Sequence, residues 1–320
     1  MSGILRKILV AIDGAGTGRR IVSFAIALAR RHGSEVVLCN AVDHATAIGE
    51  VSSSGAGPDL VGPLLQELDD NAASILAEAE RRVADAGLVA TTVTLDGRSG
   101  DVIVACANEC HADAIVMGTA GKRGLTRFFR GSTAAEVLRR ADLPIFVVPP
   151  GASDAPSNFW RMLVAIDDSD PSDAAAAFGL DLAAADDAQL IFAGVCETSA
   201  VLDNVANSEQ DPTPLIGELL AVTTALVDAH VERARHGKLT AEGFVAQGNP
   251  AEEILKIGEA NHAELIVVGT HGRRGLRRLF VGSVAESVVC RSTVPVVVIR
   301  AFPKPIKSLR RKELAAVIGR

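Results

Sequence analysis

The chain has 320 residues, too many for one ordinary domain and enough for two of about 150, each with its own core. Apolar residues make up 48% and charged residues 22%, with a mean hydropathy of +0.27, which excludes a disordered chain. The formal charge is -7, distributed as 15 Lys and Arg against 17 Asp and Glu in residues 1–150, 11 against 21 in 151–300, and 6 against 1 in 301–320; an acidic body with a basic tail is not the pattern of a generic nucleic-acid binder.

No apolar run approaches the 18 or so residues of a bilayer span, so no stable membrane association is expected. Met1 to Leu5 lacks an export signal, and Ser2 stands where myristoylation needs Gly. Five cysteines, Cys39, Cys106, Cys110, Cys196 and Cys290, are an odd number that suits reduced thiols. The expected location is the cytoplasm.

In chain order, short runs rich in Val, Ile and Leu predict strands at 7–12, 35–42, 90–95, 113–117 and 144–148, with helices near 18–32, 60–86, 99–110 and 132–141. The second half repeats the series, with strands at 161–166, 189–195, 240–246, 264–268 and 295–299. Runs such as Ile8 to Ile12 lack polar alternation, as befits parallel strands covered on both faces. The fold class is therefore α/β, a doubly wound sheet in each half. Segments 44–58 and 198–213, rich in Ser, Gly, Asn and Asp, read as irregular loops beside the carboxyl edge. Expected boundaries are 1–149 for the first domain, 150–158 for a Pro/Gly/Ser linker, 159–301 for the second domain and 302–320 for the basic tail.

The halves match residue by residue. GTAGKRGLTRFFRGS (118–132) and GTHGRRGLRRLFVGS (269–283) agree at ten of fifteen positions, and Asp13 and Asp167 each close a strand ending Val-Ala-Ile-Asp. The repeated Gly-x2-Gly-x9-Gly-Ser comprises Gly118, Gly121, Gly131 and Ser132, then Gly269, Gly272, Gly282 and Ser283. Each starts at a strand end and finishes at a helix start, where glycines admit a ligand and helix amides attract an anion, so it is a candidate phosphate site. Lys122, Arg123, Arg127 and Arg130 lie within the first stretch, and Arg273, Arg274, Arg277 and Arg278 within the second. They are either cations over the phosphates or a solvated basic loop.

These motifs, in register in both halves, resemble the universal stress protein family, and the chain looks like a tandem member. The resemblance implies two five-stranded parallel sheets of order 3-2-1-4-5, with ATP at the carboxyl ends of strands 1 and 4. Carried over by position, Asp13 and Asp167 would meet adenosine, while Ala41 and Gly194 would offer backbone to adenine. Gly118 and Gly269 would touch ribose, and Gly121, Gly131, Ser132, Gly272, Gly282 and Ser283 would surround the phosphates, with Mg or Mn accompanying them. DGAGTG (13–18) departs from DDSDPS (167–172) by lacking serines. The family further implies pairing of fifth strands between domains, and a homodimer of the whole chain is expected.

Three decoys have bland readings. GAGTG (14–18) carries Arg19 where a dinucleotide fingerprint needs its third glycine. Cys106-x3-Cys110-His111 becomes Ile257, Asn261 and His262 in the second half, so Cys106 reads as a small core residue and the histidines as helix C-terminal groups. No Walker, zincin or nucleophile-elbow motif occurs, and no catalytic residue or metal ligand set is assigned. The leading functional reading is an ATP-binding regulatory protein serving a stress-response protein partner. The alternatives are a slow ATPase or self-phosphorylating protein using Ser132, Thr133 or Ser283, and a scaffold whose nucleotide sites stay empty. The tail is read as an extended Pro303-x-Pro305 lead and a basic helix from Ser308, docking on the acidic body.

Overall fold

The computed structural model describes residues 4–13, 18–54, 58–119, 133–152, 160–198, 211–270 and 282–300. In the first half these form β1 (Lys7–Ala11), α1 (Gly18–His32), β2 (Glu35–Val42), α2 (His44–Ser53), α3 (Val61–Asp85), β3 (Ala90–Asp96), α4 (Ser99–Glu109), β4 (Ala114–Gly118), α5 (Thr133–Arg140) and β5 (Ile145–Val148). The second half has β6 (Arg161–Ile166), α6 (Asp170–Asp186), β7 (Gln189–Cys196), α7 (Thr213–His236), β8 (Ala241–Gln247), α8 (Pro250–Ala260), β9 (Leu265–Gly269), α9 (Ser283–Arg291) and β10 (Val296–Ile299). The tail lies outside the described residues, as does most of the linker.

All ten strands form one sheet of order β3-β2-β1-β4-β5-β10-β9-β6-β7-β8. Each half is parallel with the expected order 3-2-1-4-5, and the halves meet where β5 and β10 pair antiparallel. That pair is centred on Phe146 opposite Val297, residues equivalent in the repeat, so a local pseudo-two-fold axis passes between them. An apolar edge is a liability when bare; here Ile145 to Val148 and Val296 to Ile299 are all buried.

Successive strand residues face opposite helix layers, as the period of two requires. Ile8 and Val10 pack in the layer that also takes residues from α1, α3, α6 and α7, whereas Leu9 packs with α4, α5, α8 and α9. Both cores run through the two halves without a break. An acid anchors the start of the central strand in each repeat: Asp113 accepts from the amides of Arg6 (2.8 Å) and Lys7 (2.9 Å), and Glu264 from those of Trp160 and Arg161. An ion pair is also repeated, Asp101 with Arg140 and Glu252 with Arg291, tying α4 to α5 and α8 to α9.

The expectation of an irregular 44–58 is corrected by α2. Asp43 caps it by accepting from Thr46 N at 2.9 Å, and that bond holds the Asp43 carboxyl below its ordinary range. His44 then ties the helix start to Asp69 on α3 (3.0 Å) and Asp96 at the end of β3 (3.2 Å). Tertiary contacts thus outweigh a Ser/Gly composition unfavourable to helix. The matching expectation for 198–213 falls mostly outside the described residues, although Thr213 already opens α7.

α7 also corrects the expectation that nothing apolar reaches spanning length. It has an 18-residue window of mean hydropathy 1.3, sufficient by length and composition alone to cross a bilayer. In this fold its C-terminal half is a core helix, with Leu226, Val227, His230, Val231 and Ala234 buried. His111 and His262 both adopt left-handed backbone (φ 54° and 53°) just beyond α4 and α8. Their amides close the helices by donating to Asn108 O and Glu259 O, both at 3.1 Å. Cys106 is buried, which raises its thiol pKa. Among the described residues, no group of three or more His, Cys, Asp or Glu side chains is arranged to hold a metal ion.

Candidate functional site

The carboxyl edge of each half gathers the ends of its two central strands, β1 with β4 and β6 with β9. Here the strand order reverses, leaving a crevice in which open α/β sheets take ligands. Asp13 lies two residues beyond β1 and is half-buried. The chain leading into it is pinned twice: Ile12 N donates to Cys39 O (2.9 Å), and the buried Asn40 side chain donates to Ile12 O (2.7 Å). Asn40 escaped the motif reading, although a lone amide in the apolar run EVVLCNAV was its signal.

The second half holds its aspartate by different means. Asp167 N donates to Ser172 Oγ at 2.9 Å, and Ser169 Oγ donates to the Asp167 carboxylate. Ser169 also caps α6 by accepting from Ser172 N, with Pro171 in the first turn. The serines missing from DGAGTG therefore fix Asp167 to a helix start. In the first half Gly18, the first residue of α1, stands where Ser172 does and offers no hydroxyl, while Ala15, the equivalent of Ser169, lies outside the described residues.

Gly118 and Gly269 are the last residues of β4 and β9. At Gly269 the close approach comes from the protein itself. A Cβ there would lie 2.7 Å from the backbone carbon and oxygen of Pro171 and 2.9 Å from Ser172 N. The glycine lets the first turn of α6 settle on the strand end, independent of any ligand. Gly269→Ala should cost about 2 kcal/mol of stability, the usual scale for forced overpacking, and chemical denaturation would measure it.

Beyond Gly269, the buried Thr270 donates its amide to Ile299 O (2.9 Å), and its carbonyl accepts from Gly282 N. The two ends of the 271–281 segment are thereby held together. Gly282 is the N-cap of α9 at φ -55°, ψ 142°, dihedrals open to any residue. Its missing side chain leaves the helix start without a side-chain cap among the described residues, and the amides of such a first turn are the groups that an external acceptor would take. Ser283, the first residue of α9, is exposed. Gly121, Gly131, Ser132 and Gly272 lie outside the described residues, as do the eight basic residues between the glycines.

Ala41 lies half-buried near the end of β2, opposite Leu95 of β3. The equivalence drawn with Gly194 needs correction. Ala11 pairs with Cys39 and Ala165 with Ala193, so the counterpart of Ala41 is Val195, and Gly194 matches Asn40. A Cβ on Gly194 would meet Val227 and Thr223 of α7 at 2.6 and 2.8 Å. Gly194 is thus a close-packing position on the core side, and a slip of one residue had placed it on the wrong face.

The pattern of the Universal stress protein family matches residues 5–149 and again 158–300. The chain belongs to the universal stress protein family. It is 27% identical over 303 residues to a universal stress protein of Mycolicibacterium smegmatis, covering 92% of this chain and 96% of that one. The universal stress protein YxiE of Bacillus subtilis is 33% identical over 147 residues, 44% of this chain and 99% of YxiE, the proportions of one half. A universal stress protein structure from Archaeoglobus fulgidus superposes with a TM-score of 0.68 at 19% identity, covering 93% of this chain and 97% of that one. That similarity shows a shared two-domain fold.

Proposed function

We propose that this universal stress protein binds ATP at the carboxyl edge of both halves and acts as a cytoplasmic nucleotide-dependent regulator of a stress-response protein partner. The observation that carries this reading is the uncapped start of α9 at Gly282, beside Gly269 and the strand-terminal Asp167. Uncapped helix amides favour phosphate oxygens, and the carboxylate suits ribose or base donors. Asp13, Gly118, Gly121, Gly131 and Ser132 would serve the first half, and Gly272 and Ser283 complete the second. Ala41 contributes backbone to adenine; its counterpart by register is Val195 rather than Gly194. Mg or Mn would travel with the phosphates.

A homodimer of the full chain must use a surface other than the fifth strands, which pair with each other inside the chain. The acidic body remains the argument against nucleic acid as a partner.

The test incubates the purified full chain with labelled ATP. Retention of unchanged nucleotide supports binding without turnover, conversion to ADP supports the slow ATPase, and no retention supports the empty scaffold. Gly131→Asp combined with Gly282→Asp should weaken ATP retention at least tenfold, because each carboxylate would occupy and repel the phosphate position. Undiminished retention in the double variant would sink the phosphate assignment.

A further inference from the structure

The amino edge of the second half, at the opposite end of β6 from Asp167, holds a cavity of about 380 Å³. It lies where β6, β7 and β8 begin, lined by Trp160, Arg161, Gln189, Lys238 and Thr240, with Asp187 at the end of α6. Its volume falls within the roughly 300–1,000 Å³ of small-molecule sites.

The first half is an internal control for this edge. β1 pairs Lys7 with Glu35 where β6 pairs Arg161 with Gln189, which fixes the equivalences. By the same repeat, Gly33 and Gly87 hold the places of Asp187 and Lys238. All four have left-handed backbone, with φ of 66° and 76° for the glycines and 51° and 65° for Asp187 and Lys238. The fold therefore imposes at both points a conformation that favours glycine, yet the second half places a charged side chain at each. A Cβ at Gly33 or Gly87 would meet nothing within 4 Å, so packing does not call for a side chain at either point.

The charges differ between the halves as well. Lys7 pairs with Glu35 at 2.9 Å, whereas neutral Gln189 gives Arg161 no such acid. Arg161 Nη1 donates instead to Asn261 O at 3.0 Å, and the carboxylate of Glu264 is taken up by the amides of Trp160 and Arg161. Arg161 and Lys238 against Asp187 leave the lining with an excess of positive charge. Trp160, which replaces Arg6, is 59% exposed beside these cations. The second half thus joins an open aromatic face to a guanidinium and an ammonium group.

We propose that this cavity binds a small aromatic monocarboxylate. Arg161 and Lys238 take the carboxylate through charge-assisted hydrogen bonds, and the ring lies against the Trp160 indole. Asp187 restricts the guest to a single negative charge, which disfavours phosphate and other dianions. The site is separated from Asp167 by roughly 20 Å of extended strand and uses no residue of the glycine signature, so it stands or falls independently of the ATP reading.

The experiment titrates the purified full chain with benzoate while following tryptophan emission, which reports Trp160 alone because the chain has one Trp and no Tyr. Wild type should show a saturable change at millimolar benzoate or below, and acetate and inorganic phosphate should bind at least about tenfold more weakly. Lys238→Gly and Asp187→Gly both copy the first half and both relieve a left-handed backbone, so each should stay folded. Their affinities should nevertheless part: Lys238→Gly weakens benzoate binding about fivefold or more, and Asp187→Gly leaves it equal or tighter. Arg161→Gln should weaken it at least about tenfold. Equilibrium dialysis with labelled benzoate repeats each measurement without relying on emission, and circular dichroism checks the fold of each variant. No saturable benzoate binding to wild type, wild-type affinity in folded Lys238→Gly, or the same loss in both glycine variants would overturn the proposal. Acetate or phosphate bound as tightly as benzoate would overturn it too, since the ring and the single charge would then count for nothing.

Discussion

Replacing Phe146 by alanine should lower the free energy of unfolding by about 3–5 kcal/mol, the range for emptying a large aromatic from a packed core. Phe146 is fully buried on β5, paired with Val297 of β10. Its ring lies 5.7 Å from Phe24 on α1 and 6.2 Å from Phe178 on α6. Phe24 and Phe178 are equivalent positions of the repeat, so one ring from the first half plugs the pseudo-two-fold junction between two symmetry-related aromatics. Val297, its own counterpart, is too small to do the same from the other side. Since α1 and α6 both lean on this ring, the loss should destabilise the two halves together. Urea unfolding followed by far-ultraviolet circular dichroism would show a single transition moved to lower denaturant. A loss under about 1 kcal/mol, or a new biphasic curve in which one half keeps its wild-type midpoint, would contradict this account of the junction.

The junction also marks the limit of what the sequence discloses. Ten strands were legible because buried parallel strands are unbroken apolar runs and because each run occurs twice, whereas their order was implied by the family resemblance. Antiparallel pairing of β5 with β10 followed from two apolar edges that needed cover and from the family resemblance. The single ring at the axis was not legible, because Phe146 and Val297 are both ordinary core residues until the pairing register sets them face to face. Gly194 was misassigned for a related reason: glycine near a strand end suits ligand contact and helix packing equally, and only register separates them. At Gly269 both roles are open in the sequence, and the structure supplies one of them in the backbone of Pro171. α2 was missed because its capping aspartate sits in a stretch of low helix propensity whose stabilising partners, Asp69 and Asp96, are distant in sequence. His230 was missed because nothing in the sequence tells an imidazole that fills space from one that faces solvent.

His32 and His230 make the fold acid-sensitive in a way that one substitution can isolate. Burial, with Arg31 nearby, pushes His32 down to about 4, and burial with Arg233 nearby does the same to His230. An imidazole whose folded pKa lies below its unfolded value contributes stability above pH 6.5, and that contribution is lost as pH falls towards 4. Each shift corresponds to about 3 kcal/mol. Asp186 acts in the opposite sense. It is buried at the junction against Arg31, 3.6 Å from His32, and burial raises its carboxyl to about 6. Because this folded value lies above the unfolded one, ionised Asp186 destabilises the fold at neutral pH, and its protonation between pH 6 and 4 returns about 3 kcal/mol. The two histidines therefore lose stability over the acid range in which Asp186 regains it. His230→Phe should remove one histidine contribution while keeping a ring against Phe192, so its stability should fall less steeply over that window than wild type. Urea unfolding of both proteins at pH 7, 6, 5 and 4 measures the difference directly. Parallel curves would mean that His230 titrates alike in the folded and unfolded chain, and a steeper fall in the variant would reverse the sign assigned to it.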